Sequence, residues 1–313
     1  MAMGNFLSEM TILYLIGLIG FIARKTGLLS KEANQILTQL ILHITLPALI
    51  LFTLDIPFSY SAIGEFSWLV SMSLSAILVA TLIGYYMRKR SRLTSKDGAV
   101  YESLIIFGNQ GFIGYAISYI LFKEQGVIYL TMFNVCYLVH IWAYGIYLFT
   151  RNTKKIPWRT IWFNPGIIST FIGFIIFLTP FTWPALISSS LETTGKMTIP
   201  LSMIVIGSLI ASVPLSSLPN ILKNRLLWKA TVLRLLIIPL FLLPFILLPV
   251  PLTLLIIAVL VTGMPSAPTV SLYAQKYGGD TAFASAGTLL TTLLCIGTLP
   301  FLHMLIQILQ AFR

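Results

Sequence analysis

Charged side chains are scarce in this 313-residue chain: 9% of its residues are Asp, Glu, Lys or Arg, whereas 57% are apolar. The mean hydropathy of +0.93 is correspondingly high. A water-soluble globule of this size needs more polar surface than these residues supply, which excludes most soluble enzymes and nucleic-acid-binding proteins. The composition therefore predicts an integral membrane protein.

Cysteine and recognisable catalytic motifs are equally scarce. The two cysteines, Cys136 and Cys295, lie in apolar runs, which favours small buried hydrophobic residues over a disulfide framework or a metal site. The sequence has no Gly-Lys-Ser/Thr phosphate loop, no His-Glu-X-X-His metal helix and no paired intramembrane aspartates. We therefore expect no enzyme activity, no cofactor and no direct drive by ATP.

Long apolar runs fill the chain instead. A helix needs about 20 apolar residues to cross the hydrocarbon, and ten stretches of roughly that length follow one another with short connections. The fold class predicted is an all-α membrane protein with ten transmembrane helices. The stretches cover roughly residues 6–23, 34–54, 64–87, 98–121, 126–149, 165–179, 187–212, 226–248, 252–275 and 281–309.

The basic residues indicate the orientation of these spans. Sixteen of the 20 Lys and Arg residues fall in the connections after the odd-numbered spans, and three fall on the opposite side. Basic residues near span ends stay cytoplasmic, so both termini are predicted to lie outside a plasma (inner) membrane. The net charge of +11 is then an orientation signal and requires no nucleic-acid partner.

The two halves of the chain resemble each other at a constant shift of 153 residues. This shift aligns Ile19–Ile22 of span 1 with Ile172–Ile175 of span 6, and Thr45-Leu46-Pro47 with Thr198-Ile199-Pro200. Five spans are an odd number, so the second repeat enters the membrane from the opposite side, as in many secondary transporters. The division predicted is a first repeat over 1–149, a short cytoplasmic link over 150–164 and an inverted second repeat over 165–313.

Spans 4 and 9 are interrupted at equivalent places. Span 4 carries three glycines and an Asn-Gln pair over Gly108–Gly114, and span 9 carries two prolines over Gly263–Thr269. Either break alone is typical of a kinked helix, but broken backbone at mid-depth is tolerated where it faces protein or a water-filled cavity. We predict that spans 4 and 9 cross there. The hinge residues expected are Gly108, Gly114, Gly263 and Pro268, with Pro47 and Pro200 at the two Thr-X-Pro kinks.

A crossing of two interrupted helices favours an anion. The second half of each helix, starting near Phe112 and near Thr269, presents backbone N–H groups and about half a positive charge at its N-terminus. Nearby amides and hydroxyls add hydrogen bonds without burying a fixed charge. A small carboxylate is the expected ligand. The candidate substrate-binding residues are Asn109, Gln110, Gly111, Phe112, Pro265, Ser266, Ala267 and Thr269.

Four ionisable residues in the spans are candidates for contact with substrate or a proton. His43 either takes part in this chemistry or bonds a neighbouring carbonyl, and Lys196 either does so or pairs with Glu192 four residues earlier. Arg234 either extends to the headgroups or lines the inner cavity. Glu102, below the break in span 4, is either a proton-coupling residue or an interfacial charge.

The broken segments carry a resemblance to a known family. Gly108-Asn109-Gln110-Gly111-Phe112-Ile113-Gly114 resembles the Gly-Asn-X-Gly-Phe-X-Gly pattern of the auxin efflux carrier family, which includes plant pin-formed carriers and bacterial malate permease-like proteins. Met264-Pro265-Ser266-Ala267 and Tyr277-Gly278-Gly279-Asp280 resemble its span 9 segment. Thr45–Ile50 and Asn164-Pro165 also match, so the resemblance covers essentially the whole chain.

The resemblance implies inverted five-helix repeats, a scaffold and a transport domain, and secondary transport of organic anions by an elevator-like movement. It assigns Asn109, Gly111 and Pro265 to the crossover. Gln110, Tyr115 and Pro268-Thr269 depart from the usual residues, so the family's substrate does not transfer directly. The short link also lacks the long loop of plant hormone carriers, which favours a microbial-type transporter.

Two functions from different classes fit the sequence. The first is secondary transport of a small organic anion, such as malate, another dicarboxylate or an auxin-like acid. The alternative is a membrane sensor or lipid-binding protein that keeps a transporter fold without turnover. The expected partners are the anion, membrane lipids and, for an importer, a coupled proton or sodium ion, and a homodimer is one possible assembly.

Overall fold

The computed structural model describes residues 3–55, 60–151, 163, 165–179, 181–212 and 218–311. Within these ranges the chain is helical and contains no β-strand. Six helical stretches are long and apolar enough to cross a membrane, at 31–53, 63–91, 110–150, 185–211, 225–247 and 281–310, and shorter apolar helices cover 165–178 and 252–262. The all-helical membrane class is confirmed, and the count of ten inverted spans stays a prediction.

The chain forms two compact units, each drawn from both halves of the sequence. One unit comprises residues 1–67, 111–135 and 159–212, and the other comprises 68–110, 136–158 and 213–313. This grouping by contact does not test the predicted division into sequential repeats, which stays a prediction. Most of the predicted link over 150–164, including Asn164, lies outside the described residues.

The first unit is held together by contacts between helices from both halves of the chain. Helix α1 (Met3–Lys25) contacts α9 (Thr198–Ala211), while α3 (Leu46–Thr53) contacts both α7 (Pro165–Leu178) and α8 (Ala185–Lys196). The bounds are α1 Met3–Lys25, α2 Lys31–Leu40, a π-helical segment Ile41–Thr45, α3 Leu46–Thr53, the start of α4 (Tyr60–Ser91), the first part of α6 (Tyr115–Thr150), α7 Pro165–Leu178, α8 Ala185–Lys196 and α9 Thr198–Ala211.

Local sequence explains several of these bounds. Ser30 begins α2 because its hydroxyl accepts a hydrogen bond from the Ala33 N–H at 3.1 Å. The π-helical segment precedes Pro47, whose ring and missing N–H prevent regular α-helical bonding in the preceding turn. Within α6, Phe122 and Lys123 leave helical geometry, and Lys123 adopts a φ of 52°. A turn therefore lies between predicted spans 4 and 5.

In the second unit several helices pack around one short helix, α5 (Ser95–Ile106). Helices α11 (Arg225–Val232), α14 (Thr269–Tyr277) and α15 (Thr281–Ala311) all contact it. The bounds are the main part of α4, α5 Ser95–Ile106, the second part of α6, α10 Leu218–Lys223, α11 Arg225–Val232, a π-helical segment Leu233–Ile237, α12 Ile238–Leu240, a 3₁₀ segment Leu243–Leu247, α13 Leu252–Thr262, α14 Thr269–Tyr277 and α15 Thr281–Ala311.

The predicted interruptions of spans 4 and 9 are visible as gaps between helices. Helix α5 ends at Ile106, and a π-helical segment over Gln110–Gly114 leads into α6. Helix α13 ends at Thr262, and α14 begins at Thr269. The second half of span 4 thus begins at Gln110, two residues before the expected Phe112. The second half of span 9 begins at Thr269, as expected.

Candidate functional site at the paired helix breaks

The two helix breaks pair with each other inside the second unit. Gly108 and Ser266 form an isolated antiparallel bridge. The Asn109 N–H donates to the Pro265 carbonyl at 2.6 Å, and the Ala267 N–H donates to the Phe107 carbonyl at 2.9 Å. Backbone groups that the breaks release from helical bonding are therefore satisfied by the opposite break, as buried backbone requires.

Ser266 anchors this pairing to neighbouring helices. Its N–H donates to the Thr291 hydroxyl of α15 at 3.0 Å, and its own hydroxyl donates to the Leu104 carbonyl of α5 at 2.7 Å. The side chain is fully buried. Ser266, predicted as a substrate ligand, thus uses its polar groups to hold the breaks in place.

Arg234 donates hydrogen bonds to backbone carbonyls at both breaks. Its Nε donates to the Met264 carbonyl at 2.9 Å, Nη1 to the Ile106 carbonyl at 2.8 Å, and Nη2 to the Thr262 carbonyl at 2.6 Å. The side chain is 2% exposed, so the expectation that it extends to the headgroups is wrong. Burial occurs because these carbonyls, freed at the ends of α5 and α13, provide acceptors that lipid cannot.

Arg234 places a positive charge beside the negative C-terminal ends of two helices. The C-terminal ends of α5 and α13 each carry roughly half a negative charge, and the guanidinium of Arg234 supplies one positive charge beside them. Among the described residues, no carboxylate forms an ion pair with Arg234. The N-terminal ends at Gln110 and Thr269 each carry roughly half a positive charge.

The residues around these N-termini differ in exposure. Asn109, Gln110, Pro265 and Ala267 are buried, whereas Thr269 is partly exposed. Gln110 Oε1 is buried and has no hydrogen-bond partner in the described part of the chain. An amide oxygen in this state is satisfied by a ligand or by water. Gly111 is partly exposed, Phe112 is buried, and both belong to the other unit.

Glu102 lies within α5, one turn before the break. Its carboxylate is fully buried, forms an ion pair with Arg88 of α4 at 2.6 Å and accepts a hydrogen bond from the Tyr144 hydroxyl of α6 at 2.9 Å. The sequence left Glu102 as a proton-coupling residue or an interfacial charge, and the structure shows that this carboxylate is buried and paired. A buried carboxylate requires such partners, which tertiary packing supplies here.

His43 and Lys196 lie in the first unit. His43 Nδ1 is 3.0 Å from the Gln39 carbonyl, and the Lys196 ammonium forms an ion pair with Glu192 at 2.6 Å. The sequence offered a bond from His43 to a neighbouring carbonyl and a pair between Lys196 and Glu192 as the alternatives to a role in transport, and the structure contains both. Lys196 also borders a cavity of about 170 Å³, together with Thr53, Tyr119, Glu124 and Pro200.

The two Thr-X-Pro kinks meet in the same unit. The Thr198 hydroxyl donates to the Thr45 hydroxyl at 3.0 Å, and both side chains are buried. Pro47 and Pro200 follow two residues after these threonines. The structure thus brings together the two kinks that the repeat aligns.

Sequence reasoning missed the aromatic residues that contact the break in span 4. The Tyr137 hydroxyl donates to the Gly108 carbonyl at 2.5 Å, and the ring centroids of His140 and Phe107 are 5.6 Å apart. Tyr137, His140 and Tyr144 follow at intervals of three and four residues, which places them on one face of α6. This spacing is the signal that could have identified them.

No clustered His, Cys, Asp or Glu side chains of the described residues could hold a metal ion. Both cysteines are free thiols, with Cys295 buried and Cys136 partly buried.

Comparison with known proteins identifies the family. The family described as membrane transport protein matches residues 5–303. An uncharacterized transporter of Methanocaldococcus jannaschii is 27% identical over 227 residues, which are 69% of this chain and 70% of that protein. The family resemblance inferred from the Gly108 and Met264 segments is confirmed. The chain belongs to the membrane transport protein family, that of the auxin efflux carriers.

Proposed function

We propose that this multi-pass membrane transporter is a secondary transporter of a small organic anion, such as malate or another dicarboxylate. The anion binds at the paired helix breaks and crosses a plasma membrane by alternating access. Asn109 and Gln110 at one break and Thr269 at the other are the proposed ligands. Pro265 and Ala267 shape the backbone that holds them.

The observation that carries the proposal is the carbonyl-bound guanidinium of Arg234. Its positive charge offsets the negative C-terminal ends of α5 and α13, whose carbonyls it binds. The N-terminal ends at Gln110 and Thr269 together supply roughly one further positive charge. A site with this balance attracts a carboxylate and repels a cation.

Contacts within the first unit support the inverted repeat. A Cβ added at Gly20 of α1 would collide with the backbone of Ile204 in α9, while one added at Gly173 of α7 would meet the Leu54 side chain after α3. The 153-residue shift relates α1 to α7 and α3 to α9. The packing of α1 on α9 and the packing of α7 on α3 therefore correspond under the repeat as pairs of helices. The bond between Thr45 and Thr198 joins residues that are themselves 153 positions apart.

Alternating access in this proposal is elevator-like, with one unit moving while the other stays fixed. The division of the chain into two compact units supports such a movement. The orientation with both termini outside rests on the distribution of basic residues. Export of an anion from a negative interior releases about 2.3 kcal/mol per charge per 100 mV and requires no coupled ion, whereas import requires one.

Uptake of radiolabelled malate into proteoliposomes tests the proposal. The full chain should give saturable uptake, which Asn109→Ala and Pro265→Ala should reduce at least about tenfold, a loss of roughly 1.4 kcal/mol. Asn34→Ala, a buried asparagine on α2, is the matched control and should retain uptake. Uptake unchanged in both site variants would contradict the site. Saturable malate binding without flux would favour the sensor alternative.

A further inference from the structure

Glu102 differs from the other acidic residues in its environment. It is the one Asp or Glu that is fully buried in the described part of the chain. The carboxylate has two partners, the Arg88 guanidinium at 2.6 Å and the Tyr144 hydroxyl at 2.9 Å. A buried ion pair of this kind is maintained only while both groups are charged.

The surroundings of Glu102 contain few other ionisable groups. Gly84 of α4 allows the close approach of the Glu102 side chain, since an added Cβ would lie 3.3 Å from its Cγ. Helices α11, α14 and α15 also pack against α5. Among the described residues, only Arg88 of α4 and Tyr144 of α6 interact with the carboxylate as charged or titratable groups.

One face of α6 connects this carboxylate to the helix break. Tyr144 bonds to Glu102, and the His140 ring stacks on Tyr144 with centroids 5.0 Å apart and an interplanar angle of 9°. His140 also contacts Phe107, and Tyr137 donates to the Gly108 carbonyl. His140 Nε2 lies 3.1 Å from the Thr81 hydroxyl of α4. Contacts between side chains therefore link Glu102 to the break through Tyr144, His140 and Phe107.

We propose that Glu102 is the binding site for a proton that is transported with the anion. The proton binds a carboxylate oxygen, which converts the neutral pair of Glu102 and Arg88 into a neutral acid and a guanidinium. The pair gains one positive charge, and this charge offsets one negative charge of the anion at the crossing. The proposal rests on the proposed function, because it identifies the coupling ion for import.

The first test is infrared titration of the purified protein labelled with carbon-13 glutamate, in the absence of any anion. A protonated-carboxyl band should appear on acidification and should be missing in Glu102→Gln. Glu65→Gln is the matched control, since Glu65 also accepts a hydrogen bond from a tyrosine, Tyr129. A titrating buried-carboxyl band that persists in Glu102→Gln would overturn the assignment.

A second variant keeps this test valid should Glu102→Gln fail to fold. Tyr144→Phe deletes only the hydroxyl that bonds to Glu102 and should shift both the position and the midpoint of the same band. Tyr86→Phe, on an exposed tyrosine of α4, should not. Identical titrations of wild type and Tyr144→Phe would overturn the proposal.

The second test separates coupling from transport with labelled malate in proteoliposomes at zero membrane potential. One proton per anion predicts about tenfold accumulation for an inward gradient of one pH unit. Glu102→Gln should lose this accumulation and keep malate counterflow, and Glu102→Asp should restore the accumulation. Accumulation retained in Glu102→Gln, or driven in wild type by sodium alone, would overturn the proposal.

Failure of the two proposals is distinguishable. If no variant, including wild type, carries out malate counterflow, malate transport is contradicted, and the infrared titration alone decides whether Glu102 binds the proton.

Discussion

The hydroxyl of Thr198 donates a hydrogen bond to the hydroxyl of Thr45 at 3.0 Å, and the two residues are 153 positions apart. This separation equals the shift that aligns the two halves of the sequence. Each threonine precedes a proline by two residues, so each kink lies beside its equivalent. Such a contact is expected where a two-fold axis relates two inverted repeats.

The first prediction concerns the energy of this threonine pair. A double-mutant cycle of Thr45→Val and Thr198→Val should give a coupling of about 0.6 kcal/mol, the average for hydrogen bonds inside membrane proteins. The measurement is denaturant unfolding of the purified protein in micelles. Thr53→Val combined with Thr198→Val is the control and should be additive, because the Thr53 hydroxyl bonds to its own helix at Leu49. A coupling indistinguishable from zero would argue against the observed bond.

The second prediction concerns the space at the helix break. A Cβ at Gly108 would collide with the Arg234 guanidinium, whereas a Cβ at Gly111 meets no atom within 4 Å. Gly108→Ala should therefore destabilise the protein by about 1–3 kcal/mol, the usual cost of overpacking. Gly111→Ala should leave the melting temperature nearly unchanged. Equal melting temperatures of the two variants would contradict the contact between Gly108 and Arg234.

The third prediction concerns the charge of Arg234. Arg234→Gln removes several charge-assisted hydrogen bonds, each of which contributes about 1.5–3 kcal/mol, so a loss of at least about 3 kcal/mol in unfolding free energy is expected. Arg234→Lys keeps the charge but not the planar fork and should lose part of that stability. Thermal unfolding in micelles gives both values. Lys229→Gln, on an exposed lysine of α11, should change stability by no more than about 0.5 kcal/mol. An Arg234→Gln variant as stable as the wild type would show that the hydrogen bonds from the guanidinium to these carbonyls do not stabilise the fold.

Sequence reasoning predicted the features that depend on local residue chemistry. Proline at Pro265 and Pro268 and glycine at Gly108 disrupt helical bonding wherever they occur, so both breaks could be placed to within a few residues. Single-residue matches at a constant shift indicated which kinks are equivalent, and the structure brings Thr45 and Thr198 into contact.

The partners of the charged residues could not be predicted in the same way. Arg234 is 128 positions from Ile106 in sequence, and nothing local indicates that it bonds to the end of that helix. Glu102 reaches its partner Tyr144 across 42 positions. The sequence placed Arg234 either at the headgroups or along the inner cavity, because a charge in a membrane span normally seeks water. It left Glu102 as either an interfacial charge or a proton-coupling residue. The fold instead supplies carbonyl acceptors to Arg234 and an ion pair to Glu102.

Ligand-induced thermal stabilisation tests the central claim, that a small carboxylate binds at the paired breaks, most directly. Purified protein is heated with malate, succinate and other small carboxylates, each at about 100 times its Kd, where one bound ligand adds about 2.7 kcal/mol to stability. The account predicts a rise in melting temperature with at least one carboxylate, lost in Asn109→Ala and retained in Asn34→Ala. A carboxylate-induced rise that survives in Asn109→Ala, or stabilisation by sterols and other lipids with none by carboxylates, would contradict it.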